Sequence, residues 1–162
     1  NLAQVYLLLG SNKGNRLLNL IQSLLMINSI DKITIKKISS LYETEPYGVK
    51  GQTNFINQVV EIQTEFRPLE LHEKLLSIEK AIGRSSKGDF QPREIDIDIL
   101  FYNSEIINTQ KLTIPHYDLH NRRFVLEPLN ELNPDFIHPV FKKSVKELLS
   151  QLKENLIVKK LE

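Results

Sequence analysis

The chain has 162 residues, with 21 Lys and Arg against 20 Asp and Glu and a net charge of +1, so bulk attraction to nucleic acid or a membrane surface is not expected and any anion site must be local. It holds no cysteine, which excludes disulfides and thiolate zinc centres and suits a reducing cytoplasm. The length fits a single domain, 1–162, and no apolar run approaches a membrane span.

The N-terminus lacks the charged, apolar and small-residue order of a signal peptide. It starts at Asn1, so the chain is read either as lacking upstream residues or as part of a longer polypeptide. Val5-Tyr6-Leu7-Leu8-Leu9 reads as a buried strand that leaves through a turn at Gly10-Ser11-Asn12-Lys13-Gly14-Asn15. Leu17, Leu18, Ile21, Leu24, Leu25 and Asn28 recur at three- and four-residue steps and predict a helix over 16–30 with that stripe facing the core. A strand follows through Ile33 and Ile35 toward Tyr42, then a loop over 46–53 containing Gly48 and Gly51.

Residues 54–65 alternate Phe55, Asn57, Val59 and Glu61 with Ile56, Val60 and Ile62, the pattern of a long strand. Pro68 starts a second helix with Leu71, Leu75, Ile78 and Ile82 on one side, and Gly83 ends it. A polar loop spans 84–92. Arg93-Glu94-Ile95-Asp96-Ile97-Asp98-Ile99-Leu100 then reads as a strand with isoleucines on one face and both aspartates on the other. Asn103-Ser104 turns that strand toward a short partner around Ile106-Ile107, and further helices are expected at 121–131 and 144–153. The order strand, helix, strand, strand, helix, strand predicts an α+β fold. Its expected form is a ferredoxin-like βαββαβ core with an appended hairpin and C-terminal helices.

Two carboxylates side by side on a stiff strand suit magnesium, which takes one or two carboxylates and leaves its other positions to water and phosphates. Arg84, Lys87, Arg93, His116, Arg122 and Arg123 bracket that pair, and guanidinium groups match phosphate oxygens through paired hydrogen bonds, so a polyphosphate is the expected ligand. A Walker-type loop is absent, because the residues around Gly10 and Gly14 have the wrong spacing. Tyr47, Phe55 and Phe124 with the Asn57 amide suit a flat heteroaromatic molecule. His116 and His120 lack the Glu of a His-Glu-x-x-His zinc site, and a hydrogen bond from His116 to phosphate matches better.

Together these pieces resemble the 6-hydroxymethyl-7,8-dihydropterin pyrophosphokinase family of folate biosynthesis. The resemblance runs from Gly10-Ser11-Asn12 through Pro92-Arg93-Glu94-Ile95-Asp96-Ile97-Asp98-Ile99-Leu100-Phe101 to Leu112-Thr113-Ile114-Pro115-His116, Asn121-Arg122 and Phe124. It implies a ferredoxin-like enzyme in a three-layer αβα arrangement that transfers pyrophosphate from ATP to the pterin hydroxymethyl group with release of AMP. It implies Asp96 and Asp98 as ligands of two magnesium ions, with Arg84 and Arg93 acting catalytically beside them. Arg84, Arg93, His116, Tyr117 and Arg122 match residues at or near the ATP phosphates, and Ile99 and Thr113 fall near the adenosine. Thr44, Tyr47, Phe55, Asn57, Asp96 and Phe124 match the pterin side. Glu45-Pro46 and Phe90 stand where many relatives carry Pro-Pro and Trp. The implied partners are small molecules, without nucleic acid or membrane, for a monomer or one part of a folate-pathway fusion.

Two other readings use subsets of these residues. A magnesium-dependent nucleotidyl or glycosyl transferase would use the aspartates but not the Phe55, Asn57 and Phe124 set. A ferredoxin-like RNA-binding module would use sheet aromatics but needs a basic stripe.

Overall fold

The computed structural model describes residues 1–45, 53–83, 93–154 and 156–161. Among these residues eight strands form: β1 (Ala3–Ser11), β2 (Ile33–Ile38), β3 (Tyr42–Thr44), β4 (Phe55–Thr64), β5 (Asp96–Tyr102), β6 (Ile107–Asn108), β7 (Thr113–Ile114) and β8 (Val158–Lys160). The helices are α1 (Arg16–Ser29), α2 (Pro68–Ile82), α3 (Arg123–Leu132) and α4 (Val145–Ser150), with a 3-10 turn at Leu119–Asn121. The predicted loops over 46–53 and 84–92 lie outside the described residues, apart from Thr53.

The main sheet is antiparallel and runs β5-β1-β4, with β2 and β3 sharing the far side of β4 and β8 beyond β3. Alternation along the central strands feeds two separate apolar layers. Val5, Leu7, Leu9, Val60, Ile62, Ile95, Ile97 and Ile99 pack with Leu20 and Ile27 of α1 and Leu71, Leu75 and Ile78 of α2. Tyr6, Leu8, Val59, Leu100 and Phe101 pack on the other face with Val125, Leu126 and Leu129 of α3 and Val145 and Leu148 of α4. Leu100 and Phe101 are neighbours in sequence yet join the same layer. A register shift opposite Tyr6 and Leu7 makes this possible, because an extra residue in one strand resets the face taken by the residues after it.

Several expectations are corrected. Gly10 and Ser11 belong to β1 rather than to a turn. The single strand expected from Ile33 to Tyr42 is two strands, because the Ser39 hydroxyl accepts the Val59 N–H at 3.0 Å where a ladder carbonyl would otherwise serve. The residues around Ile107 pair with β7, not with β5. Helix α4 ends at Ser150, and β8 was not expected.

The largest correction concerns α1. Its buried positions are Leu20, Ser23 and Ile27, while Leu17, Leu18, Ile21 and Leu25 of the expected stripe are exposed. Ser23 tolerates burial because its hydroxyl donates to the Asn19 carbonyl at 2.7 Å.

His138 is buried beside the rings of Phe101 and Phe141, and its Nδ1 accepts the N–H groups of Val140 and Phe141 at 3.2 and 3.3 Å. Burial, and then the neighbouring His120 ring, push its pKa down to about 4. An unfolded histidine titrates near 6.5, so from there down to about pH 4 the unfolded chain takes up a proton that the folded chain refuses. Stability is therefore expected to fall as pH drops through that window, by roughly 3 kcal/mol in all. Urea midpoints measured between pH 7 and 5, above most carboxylate titration, should decline in the parent chain and flatten in His138→Gln.

Candidate active site

Gly10 of β1 is registered opposite Asn57 of β4 on one side and Asp96 of β5 on the other. Directly opposed residues share a face, so Asn57 and Asp96 flank a bare backbone position. Two residues along, Leu8 opposes Asp98 and Val59, while Thr44 opposes Phe55 at the far side of β4. Thr44, Phe55, Asn57, Asp96 and Asp98 thus stand on the α3 face of one sheet end, just past Leu8 and Val59 of the apolar layer.

The glycine is required by this arrangement. A Cβ at Gly10 would lie 2.5 Å from Asn57 Nδ2 and 3.5 Å from Phe55 Cδ1. Asn57 is 3 % exposed. Its Nδ2 donates to the Leu9 carbonyl at 3.4 Å, whereas its Oδ1 is buried and has no hydrogen-bond partner among the described residues. A buried acceptor left unmatched is costly unless a ligand donor completes it.

Asp96 and Asp98 are both partly exposed, as Ile95, Ile97 and Ile99 fill the opposite face. Arg93 ion-pairs with Asp96 at 2.8 Å, both side chains being largely covered. Asn12 fixes the entry to this strand. Its N–H donates to the Arg93 carbonyl at 3.0 Å, its Oδ1 accepts the Arg93 N–H at 2.7 Å, and its Nδ2 reaches the Thr53 carbonyl at 3.3 Å. Among the described residues no group of three or more His, Asp or Glu side chains converges. Two hard carboxylates on one face fit magnesium, which does not need a third protein ligand when phosphates and water complete its shell.

The His116 N–H donates to the Leu100 carbonyl at 3.1 Å, which brings the 113–117 segment to the outer edge of β5. The His116 ring stacks on Tyr117 at 5.0 Å, its Nδ1 is buried and has no hydrogen-bond partner among the described residues, and Tyr117 is 77 % exposed. Thr113 is exposed on β7, and Phe124 is half-buried against the α3 layer. Ile99 is placed differently from a ligand-contacting side chain. Its side chain lies in the α1 and α2 layer, so only its backbone can meet anything bound near the aspartates. Arg122 is engaged by Asp118 at 2.8 Å and Glu154 at 2.7 Å. Tyr47, Arg84, Lys87 and Phe90 lie outside the described residues.

Sequence reasoning missed Gly10 and Asn12 as site residues. A glycine at the end of an apolar run looks like a turn, and only the register across three strands shows what its missing side chain makes room for.

The family model for 7,8-dihydro-6-hydroxymethylpterin-pyrophosphokinase (HPPK) matches residues 6–134. A 2-amino-4-hydroxy-6-hydroxymethyldihydropteridine pyrophosphokinase of Aquifex aeolicus is 41% identical over 146 residues, covering 90% of each chain. The Bacillus subtilis protein of the same name is 42% identical over 127 residues, covering 78% of this chain and 76% of its own. The crystal structure of Plasmodium falciparum HPPK-DHPS with pteroate has a TM-score of 0.76 at 18% identity, covering 93% of this chain and 42% of that one. The present chain therefore spans less than half of that longer polypeptide.

Gly10→Ala is expected to leave the sheet folded but to displace the Asn57 amide. Binding of a flat heteroaromatic ligand, measured by titration calorimetry, should weaken roughly tenfold, the scale of one lost hydrogen bond in a dry site.

Proposed function

The chain belongs to the 7,8-dihydro-6-hydroxymethylpterin-pyrophosphokinase family, and from that premise we propose that its two substrates meet along the row formed by Asn57, Gly10 and Asp96. It transfers pyrophosphate from ATP to the hydroxymethyl group of 6-hydroxymethyl-7,8-dihydropterin, releasing AMP, in folate biosynthesis. The observation that carries the placement is the orphaned Asn57 Oδ1, one strand away from the Asp96 and Asp98 pair across a position without a side chain.

On the pterin side, Asn57 Oδ1 accepts a ring N–H, and Phe55 and Phe124 flank the ring faces. Thr44 and Tyr47 complete that side. In the transfer, the hydroxymethyl oxygen forms a bond to the β-phosphorus while the bond from that phosphorus to the bridging oxygen of AMP breaks. The hydroxyl proton passes to water, and no side chain of this chain is assigned as general base. Asp96 and Asp98 would hold two magnesium ions, whose bound charge would offset the phosphate oxygens and favour attack. Arg93, now on Asp96, would turn to the phosphates, joined by Arg84, His116, Tyr117 and Arg122, with Thr113 and the Ile99 backbone toward the adenosine. Holding two reactants in line contributes up to about 7–11 kcal/mol, more than a single base at ~10²–10⁴ in rate, so alignment dominates this site.

The sheet order β5-β1-β4-β2, with α1 and α2 on one face, supports reading the frame as ferredoxin-like within an αβα sandwich. We read residues 1–162 as one catalytic domain acting in the cytoplasm. No helix among the described residues is long and apolar enough to cross a membrane. HPPK-DHPS chains show that this unit also occurs within longer polypeptides.

Incubation with ATP, magnesium and the reduced hydroxymethyl pterin should give AMP and a pterin diphosphate on chromatography. Formation of ADP, or turnover that persists in EDTA, would sink the proposal. Asp96→Asn and Asp98→Asn should each cut turnover by roughly 100-fold or more with unchanged unfolding midpoints. Asn57→Ala should instead act chiefly on the pterin KM, separating the two halves of the site by steady-state kinetics.

A further inference from the structure

Glu79 occupies the last turn of α2, on the face that buries Leu75 and Ile78, and is 2 % exposed. Its carboxylate accepts the Ile97 N–H at 2.6 Å. Ile97 stands between Asp96 and Asp98, and β5 is the outermost strand of its sheet. A helix side chain thus supplies the acceptor that a further strand would otherwise supply.

We propose that Glu79 is a positioning residue for the metal-bearing strand. By holding the peptide between the two aspartates, it sets the direction in which both carboxylates leave the sheet. The inference rests on reading Asp96 and Asp98 as the magnesium ligands. Three fixed points then bracket the pair: Asn12 on the Arg93 backbone, Glu79 on the Ile97 N–H, and the His116 N–H on the Leu100 carbonyl. The middle point is the one that falls between the carboxylates.

The same residue also connects the strand to the end of the helix. The Gly83 N–H donates to the Glu79 carbonyl at 3.2 Å, closing α2, and a Cβ at Gly83 would sit 3.6 Å from the Glu94 side chain. Glu79 thus touches both the closing turn of α2, through its carbonyl, and the middle of β5, through its carboxylate. Removing that acceptor would take a buried hydrogen bond from the Ile97 N–H, a loss that favours a shift of the strand.

The test compares Glu79→Gln, which keeps an acceptor oxygen, with Glu79→Leu, which keeps the bulk and removes it. In Glu79→Leu the Ile97 amide, followed by NMR hydrogen exchange without ligands, should exchange roughly tenfold faster or more. The magnesium concentration for half-maximal turnover should rise and kcat fall by a similar factor, with the pterin KM unchanged. Glu79→Gln should stay within about twofold of the parent in all of these, as one retained hydrogen bond predicts. A folded Glu79→Leu with parental exchange and magnesium requirement would overturn the inference. So would a Glu79→Gln as impaired as Glu79→Leu, because the charge and not the hydrogen bond would then be acting. Should Glu79→Leu fail to fold, exchange in the parent chain decides the matter: a protected Ile97 amide supports the assignment and an unprotected one overturns it. Asp98→Asn in the same assay separates the two levels. An unchanged magnesium requirement there would sink the ligand assignment itself, whereas a raised requirement beside an unaffected Glu79→Leu would sink only the role of Glu79.

Discussion

The pleat of β5 holds the site together. Ile95, Ile97 and Ile99 enter the layer beneath α1 and α2, and Asp96 and Asp98 have no choice but the opposite face. Burying one such isoleucine contributes about 1.5–3 kcal/mol. A slip of one residue would expose all three and drive both carboxylates into an apolar layer at a cost of several kcal/mol per charge. The hydrophobic core on one side of the strand therefore sets the register of the carboxylates on the other side. Fold and chemistry share the same residues.

The local charge balance follows from that strand. Arg93 sits against Asp96, and Arg122 sits between Asp118 and Glu154. Each of these cations is matched by a carboxylate before any ligand arrives. A triphosphate entering the site competes with existing partners, and only a net change of partner energy favours it. A divalent cation on Asp96 would release Arg93 toward phosphate, so metal and nucleotide binding are expected to reinforce one another. The overall charge of +1 contributes little to that exchange, which is a matter of a few ångströms rather than of the whole surface field.

The strands were largely legible, since alternation in β4 and β5 and the apolar run of β1 each state which face is buried. The aspartates and Asn57 could be singled out for that reason. Gly10 could not, because a residue without a side chain carries no periodic signal, and its role is visible only where Asn57 and Asp96 flank it. α1 was misread because apolar residues occur on both sides of the helix: Leu17, Leu18, Ile21 and Leu25 face outward, while Leu20, Leu24 and Ile27 pack inward. Ser23 sits on that buried face with its hydroxyl satisfied locally. Glu79 was hidden in the same way, as a charged residue next to the apolar stripe of α2 whose partner is a backbone N–H that sequence alone does not display. The three-residue β8 was too short to show any period.

The two ends of the site are built to different standards of rigidity, and the difference has a physical origin. The Asn57 end is tied into the middle of the sheet, with β1 on one side and β3 on the other. Its acceptor is preformed, so a flat ligand placed there as proposed would find its hydrogen-bond partner without reorganising the backbone. Among the described residues the Asp96 end lies on an edge strand, whose outer side is held by side chains and by the 113–117 segment. An edge offers open backbone and room for a bulky, highly charged nucleotide, but it must be stiffened from outside the sheet. The tethers at Arg93, Ile97 and Leu100 supply that stiffness. The sheet interior thus suits recognition of a small aromatic ring, and the braced edge suits the handling of phosphates.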